Sequence, residues 1–535
     1  MFIQAKPSCN RCISTGRKCD GYAPVVSRTS STNVVVRSSI LTDARHLTPD
    51  MNDHEMYWLQ AYRDDTSAAW TPGLLGDFWG HLLPQLSHYH PAIRHSLLTF
   101  SSAYANLKYR RAGVDQQQNK HLIVFELEQY NFAITQLRAL TSDIGHELTL
   151  ICCVLFVVIE TIHGHRLRRM QHLRSGIKLM QSLTPQVRAR SHDLLFVPQL
   201  LLRRTLIQSG PEAPMDLMEV GAAFLPPPAF FVRPWVFNSH IESLDALDKI
   251  VFLVSRFLRR LDRSPSTTQL TFTTPTAYSE DTTVQEQQQL LNVLSSWYQA
   301  STFILQGGGF GSRGGRPSLN PRTTTVPANA PTSNPRLTTI ERDRILLLRI
   351  QHMATWITLT NALNRTEMSW DAFLDNFSSI VTWIDHLSFI AGADASSQPA
   401  DAGVVGGAQA PKTWPLIILL AIVEPGITSA LWLTATKCRH SWVRRHAVEL
   451  LTKVPCQRRS GIVSLHARCA RRVIELEEEG WVRDQDVPAE EARLSDVVIL
   501  SELEGQEESV ARARFVRSGT DGEVAVVWEE EIHGA

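Results

Sequence analysis

Apolar residues recur along this chain at intervals of three and four. Tyr130, Ala133, Ile134 and Leu137 fall on one helical face, and Val443, Ala447, Leu450, Leu451 and Val454 repeat the spacing. So do Ile462, His466, Cys469, Ala470, Val473 and Ile474. A 3.6-residue period of this kind marks amphipathic helices. The pattern begins near Met51 and predicts a mostly α fold, with one large helical body over residues 51–484. Near the end the period changes. Residues 510–516, a Ser-Gly-Thr-Asp-Gly turn and residues 524–528 alternate as strands do, which predicts a single short hairpin within a tail at 485–535.

Several stretches break the helical pattern. Residues 24–50 are rich in Ser, Thr, Val and Pro and read as a linker. Residues 264–285 are Thr-rich and turn-prone, and residues 306–338 are crowded with Gly and Pro and hold no acid. The second of these is expected to be a disordered insertion. Within it Gly309, Gly311 and Gly314 match G-x-G-x-x-G, but Pro317 and Pro321 follow where a dinucleotide site needs a helix. The apolar run 416–435 raises the question of a membrane span. Glu424-Pro425-Gly426 at its centre argues for two buried segments meeting at a kink, and no membrane partner is expected.

Charge is balanced overall, with 53 basic and 53 acidic residues in 535, but unevenly placed. The first 40 residues carry Lys6, Arg11, Arg17, Lys18, Arg28 and Arg37 against Asp20 alone, a local charge of +5. A small basic head on a neutral body suits a nucleic-acid contact confined to one end. Eight cysteines in a chain this long form no disulfide framework, and the N-terminus has no secretory apolar core. Cys152 and Cys153 lie in an apolar segment and read as small core residues. His88, His90 and His95, like His163 and His165, read as polar helix positions, because no Cys or carboxylate joins them at ligand spacing. No nucleophile is paired with a base in any recognisable motif, so an enzyme is not expected.

Chemistry concentrates in KPSCNRCISTGRKCDGY, residues 6–22, where Cys9, Cys12 and Cys19 are spaced C-x2-C-x6-C among basic residues. Three thiolates leave the tetrahedral shell of zinc incomplete. The stretch resembles the second half of the fungal six-cysteine binuclear zinc cluster, with Pro7 at the family's loop proline two residues before the fourth cysteine. The resemblance implies two structural Zn(2+) ions in the complete cluster, with Cys9 a bridging ligand and Cys12 and Cys19 terminal ones. It extends to segments of the body, among them residues 78–104, 127–137, 151–180 and 436–451, which resemble the regulatory domain of the same family. Residues 1–23 would then be half of a DNA-binding domain. The family's other three cysteines and its base-reading helix are expected upstream of Met1, in a first exon missed by the gene model.

The resemblance implies a nuclear, zinc-dependent transcription factor that regulates RNA polymerase II genes. Double-stranded DNA with CGG-type half-sites is the expected partner, and Lys6, Arg11, Arg17 and Lys18 are expected to give weak phosphate contacts. Residues 24–56 hold no sustained apolar heptad, so the family's coiled-coil dimer is not expected. A homodimer formed through the body, a co-regulator and monomeric binding all stay open. The competing reading is a helical regulatory protein that has lost DNA binding. The Glu-containing stretch 475–508 reads as a solvated charged face, with contact to the transcription machinery as the alternative.

Overall fold

The computed structural model describes residues 51–67, 74–111, 120–140, 145–208, 235–262 (except 238), 280–304, 338–387 (except 365), 425–453, 465–479, 487–500, 511–517 and 526–532. All lie in one unit, Arg37–Ala535. The predicted linker 24–50 lies outside the described residues, as does nearly all of the predicted insertion 306–338.

Fifteen α-helices form the described body. They are α1 (Asp53–Ala61), α2 (Leu83–Tyr89), α3 (Pro91–Arg111), α4 (Lys120–Arg138), α5 (Gly145–His163), α6 (Arg166–Ser182), α7 (Pro185–Arg190) and α8 (His192–Gln208). There follow α9 (His240–Asp262), α10 (Glu280–Phe303), α11 (Thr339–Asn361), α12 (Leu374–Asp385), α13 (Pro425–Lys437), α14 (Ser441–Lys453) and α15 (Leu465–Glu477). Local signals fix several starts. Asn52 and Glu55 cap α1 reciprocally: the Asn52 side chain accepts from the Glu55 backbone N–H at 2.9 Å, and Glu55 accepts from that of Asn52 at 3.2 Å. Thr338 and Glu341 do the same for α11. Pro425 is the first described residue of α13, and the segment before the predicted break at 424–426 lies outside the described residues.

The helix α5 is long and apolar enough to cross a membrane, yet most of it is buried inside the protein. A helix apolar on all sides needs neighbours on all sides. Here α3, α6 and α8 supply them around Leu150, Ile151, Leu155 and Ile159. Gly176 of α6 faces Leu202 of α8 so closely that a Cβ would sit 3.0 Å from a leucine methyl.

Two helices are shared between cores. Ile345, Leu348 and Leu359 of α11 join the large N-terminal core, while Leu347, Ile350, Ala354 and Ile357 join a second core with α12, α13 and α14. In α15, Ala467, Ala470 and Ile474 face that second core. Its other stripe, Leu465, Cys469, Val473 and Leu476, packs with Leu494, Ala513, Phe515 and Ile532. Those last residues bring in a sheet of β1 (Asp496–Leu500), β2 (Ala511–Arg517) and β3 (Val526–Ile532), antiparallel in the order β1-β2-β3. The predicted hairpin is therefore present, with Phe515 opposite Trp528, but β1 adds a third strand. The extra strand was hidden because Val497, Val498, Ile499 and Leu500 form a continuous apolar run without alternation.

Candidate functional site

The sequence-predicted site residues Cys9, Cys12, Cys19, Lys6, Arg11, Arg17 and Lys18 lie outside the described residues. The thiols that are described do not substitute for them. Cys152, Cys153, Cys438 and Cys469 are all buried and unbridged. Burial pushes the Cys152 thiol up to about 12 and the Cys153 and Cys438 thiols up to about 11, far from the thiolate that a metal or a nucleophilic reaction needs. Among the described residues, no group of three or more His, Cys, Asp or Glu is arranged to hold a metal ion.

Two polar clusters do stand out in the body. The first joins α4, α5 and α6. His163, at the end of α5, pairs with Glu126 of α4, and His165 Nδ1 lies 2.8 Å from Glu160 Oε2. The Tyr130 hydroxyl donates to Glu160 Oε1 at 3.0 Å and lies 2.8 Å from His172 Nε2. Gly164 makes the turn between the two histidines with φ at 76°, a conformation that favours glycine. The carboxylate partners thus come from a neighbouring helix and from five residues back, which sequence spacing did not reveal. Burial holds the His172 pKa down, opposed by Glu160. Of the other histidines read as polar helix positions, His88 contacts Arg63, and His95 Nδ1 lies 2.6 Å from Gln129 Oε1.

The second cluster sits where α13, α14 and α15 meet the start of the sheet. The side chains of Arg439, Arg444 and Glu477 have no solvent exposure. Glu477 accepts from Arg439 at 3.0 Å, from Arg444 at 2.7 Å and from the Leu494 backbone N–H at 2.8 Å. Glu367 takes Lys437 at 3.0 Å and Arg439 at 2.9 Å. Arg493 binds both Asp371 oxygens, at 3.0 and 2.8 Å. Burial favours neutral Glu477, but Arg439 and Arg444 win and hold its carboxyl below the usual range. Burial lowers Arg444, while Arg439, paired with two carboxylates, is raised despite burial.

Glu477 corrects the reading of its Glu-rich stretch as a solvated face. One signal was available: Glu477 falls three residues after Ile474 and four after Val473, on the apolar stripe itself. Both clusters fasten helices to one another through buried carboxylates.

No protein-family model and no solved structure matches the chain. It is similar to the "Aspercryptin biosynthesis cluster-specific transcription regulator atnN" of Emericella nidulans, 25% identical over 219 residues, covering 37% of this chain and 35% of that protein. It is also similar to "Transcription regulator lscL" of Purpureocillium lilacinum, 25% identical over 190 residues, covering 33% of this chain and 45% of that protein. The matched stretches span less than half of either relative.

Proposed function

We propose that this protein is a fungal transcription regulator, not an enzyme, with a DNA-binding head at its N-terminus and a helical regulatory body. The observation that carries the reading is its likeness to two fungal proteins named as transcription regulators. The N-terminal motif supports the finer part. Cys9, Cys12 and Cys19 are the right donors for zinc and half the number that a six-cysteine, two-metal cluster takes. Bound zinc would supply structure, standing in for a core that so short a head is unable to bury. Lys6, Arg11, Arg17 and Lys18 would hold phosphate, while base reading needs the other half of the cluster. Nuclear localisation and CGG-type half-sites belong to the same proposal.

Transcript sequencing across the 5′ end is the first test. An in-frame C-x2-C-x6-C element with several Lys or Arg upstream of Met1 is expected. Metal analysis and DNA binding should then be compared for this chain and for the extended one. The expected outcome is two zinc ions and sequence-specific binding with the element, and weak, salt-sensitive, sequence-blind binding without it. Transcripts that start at Met1, together with no binding to duplex DNA, would leave a helical regulatory protein that acts through other proteins.

A further inference from the structure

The helix α4 buries one side and leaves the other to water. Leu122, Phe125, Glu126, Gln129 and Ala133 face inward, with α3 as the main neighbour. Val124 and Leu127 point the other way and, among the described residues, are 54% and 56% exposed. Beside them α1 exposes Met56 and Tyr57. The two helices share a small core in which Trp58 of α1 stacks on Phe125 of α4, ring centres 6.0 Å apart. Tyr57 meets Trp58 edge to face, so a run of rings links the exposed residues of α1 to α4. Exposed apolar side chains gathered on adjoining helices mark a contact surface.

The order of residues along the outer stripe says what it meets. Val124, Leu127, Asn131 and Ile134 follow one another at intervals of three, four and three, the a-d-a-d spacing of a coiled-coil seam. Asn131 is exposed and Ile134 half-buried. Lys120 and Arg138 hold the next positions of the same repeat and end the apolar seam after two heptads. A β-branched residue at a with Leu at d favours two parallel strands, and a single Asn at a fixes their register. In a parallel pair the two Asn131 amides meet and can bond to each other. An antiparallel partner would set Asn131 against Leu127 and leave the amide unpaired.

We propose that α4 is the seam of a homodimer: it pairs in parallel with α4 of a second copy of this chain, Asn131 beside Asn131, with Met56 and Tyr57 at the edge. The contact is small. Two heptads and an edge fall short of the roughly 1,600 Å² of a standard interface, so a reversible dimer with a Kd on the order of 10 μM is expected. Covalent continuity favours the same partner. Residues 1–50, which carry the proposed head, enter the body at α1, beside the seam. A two-fold contact here joins two heads in one particle and raises their effective concentration on neighbouring half-sites. That second argument rests on the proposed DNA-binding function, whereas the seam itself does not.

The test is sedimentation equilibrium of the full chain, without DNA, over roughly 1–100 μM. The wild type is expected to pass from monomer to dimer across that range. V124E/L127E alters exposed side chains only and sets like charges against each other across the seam, so it should weaken the dimer by roughly tenfold or more. N131C, oxidised at a dimerising concentration, should yield a disulfide-linked dimer, because a parallel pair brings these two Cα atoms within the about 6 Å that a disulfide spans. S175C, exposed on α6, and the wild type control for random cross-linking. A wild type that stays monomeric throughout overturns the inference, and so does a dimer that V124E/L127E leaves intact. N131C cross-linked no more than S175C overturns it too. If the wild type is monomeric and V124E/L127E still loses transcriptional output in cells, the face serves a different protein, which also overturns it. DNA binding by the head is read separately on duplex DNA and stands or falls apart from these outcomes. Matching thermal unfolding of variant and wild type separates them from misfolding.

Discussion

The cluster joining α4, α5 and α6 and the cluster at the corner of α13, α14 and α15 both bury carboxylates, but they neutralise them with different bases. The first uses His163 and His165, which keep some contact with water. The second uses Arg439 and Arg444, sealed from it. An arginine stays charged at every pH a protein survives, so its buried pairs are permanent fixtures. The C-terminal corner is thus built as a sealed joint between helices and sheet, while the α5–α6 turn is held by pairs that water still reaches.

The sharpest way to break that contrast is at Glu477. Glu477→Gln keeps the shape but leaves two fully buried guanidinium groups short of a counter-charge. The expected loss is about 3–5 kcal/mol of unfolding free energy in urea titration, because an uncompensated buried charge is far costlier than an absent pair. A loss under about 1 kcal/mol would mean that water reaches the corner.

Acidification comes next, and it acts through histidines whose pKa is depressed chiefly by desolvation. Burial lowers His240, His352 and His466 to about 4. Their folded pKa lies below the unfolded value of about 6.5, so the unfolded chain binds more protons between those limits. Their contribution is full above about pH 6.5 and is lost as pH falls toward about 4. For His352, stacked on Trp297 and 2.9 Å from the Leu294 carbonyl, the loss from pH 7 to pH 5 is about 2 kcal/mol. Replacing His352 by Gln should flatten this part of the stability–pH curve. An unchanged curve would show that His352 is protonated without cost.

A smaller effect is expected at the other cluster. Glu126→Gln should cost about 1 kcal/mol, since the contact with His163 is partly solvated. The smallest belongs to the sheet surface. Arg514→Gln removes an exposed cross-strand pair with Glu529 and should change stability by less than about 0.5 kcal/mol. A larger effect there would show that the outer face of the sheet is covered.

How much of this was legible beforehand depended on range. The helices were readable because their period repeats within a few residues, as at Tyr130–Leu137 in α4 and Val443–Leu451 in α14. The pairing of β2 and β3 was readable from the alternation of Arg512, Ala513, Arg514 and Phe515. The sealed corner was not. Glu367, the Lys437–Arg439 pair, Glu477 and Arg493 are far apart in sequence, and all but Glu477, which falls on an apolar stripe, resemble surface charges. The histidine partners were missed for the same reason, because Glu126 reaches His163 from another helix. The cysteine motif was the clearest sequence signal of all, and it lies outside the described residues.

The helix α11 leaves a trace that would be visible in descendants of this gene. Leu347 and Leu348 are adjacent in sequence yet belong to different cores. Each residue turns a helix by about 100°, so one inserted codon within α11 would rotate both stripes away from their partners together. Length changes there should be purged, and point substitutions are judged twice, by two sets of neighbours with separate demands on size. Loops can absorb drift. This helix works as a ruler for the rest of the body, and insertions and deletions among relatives should stop at its two ends.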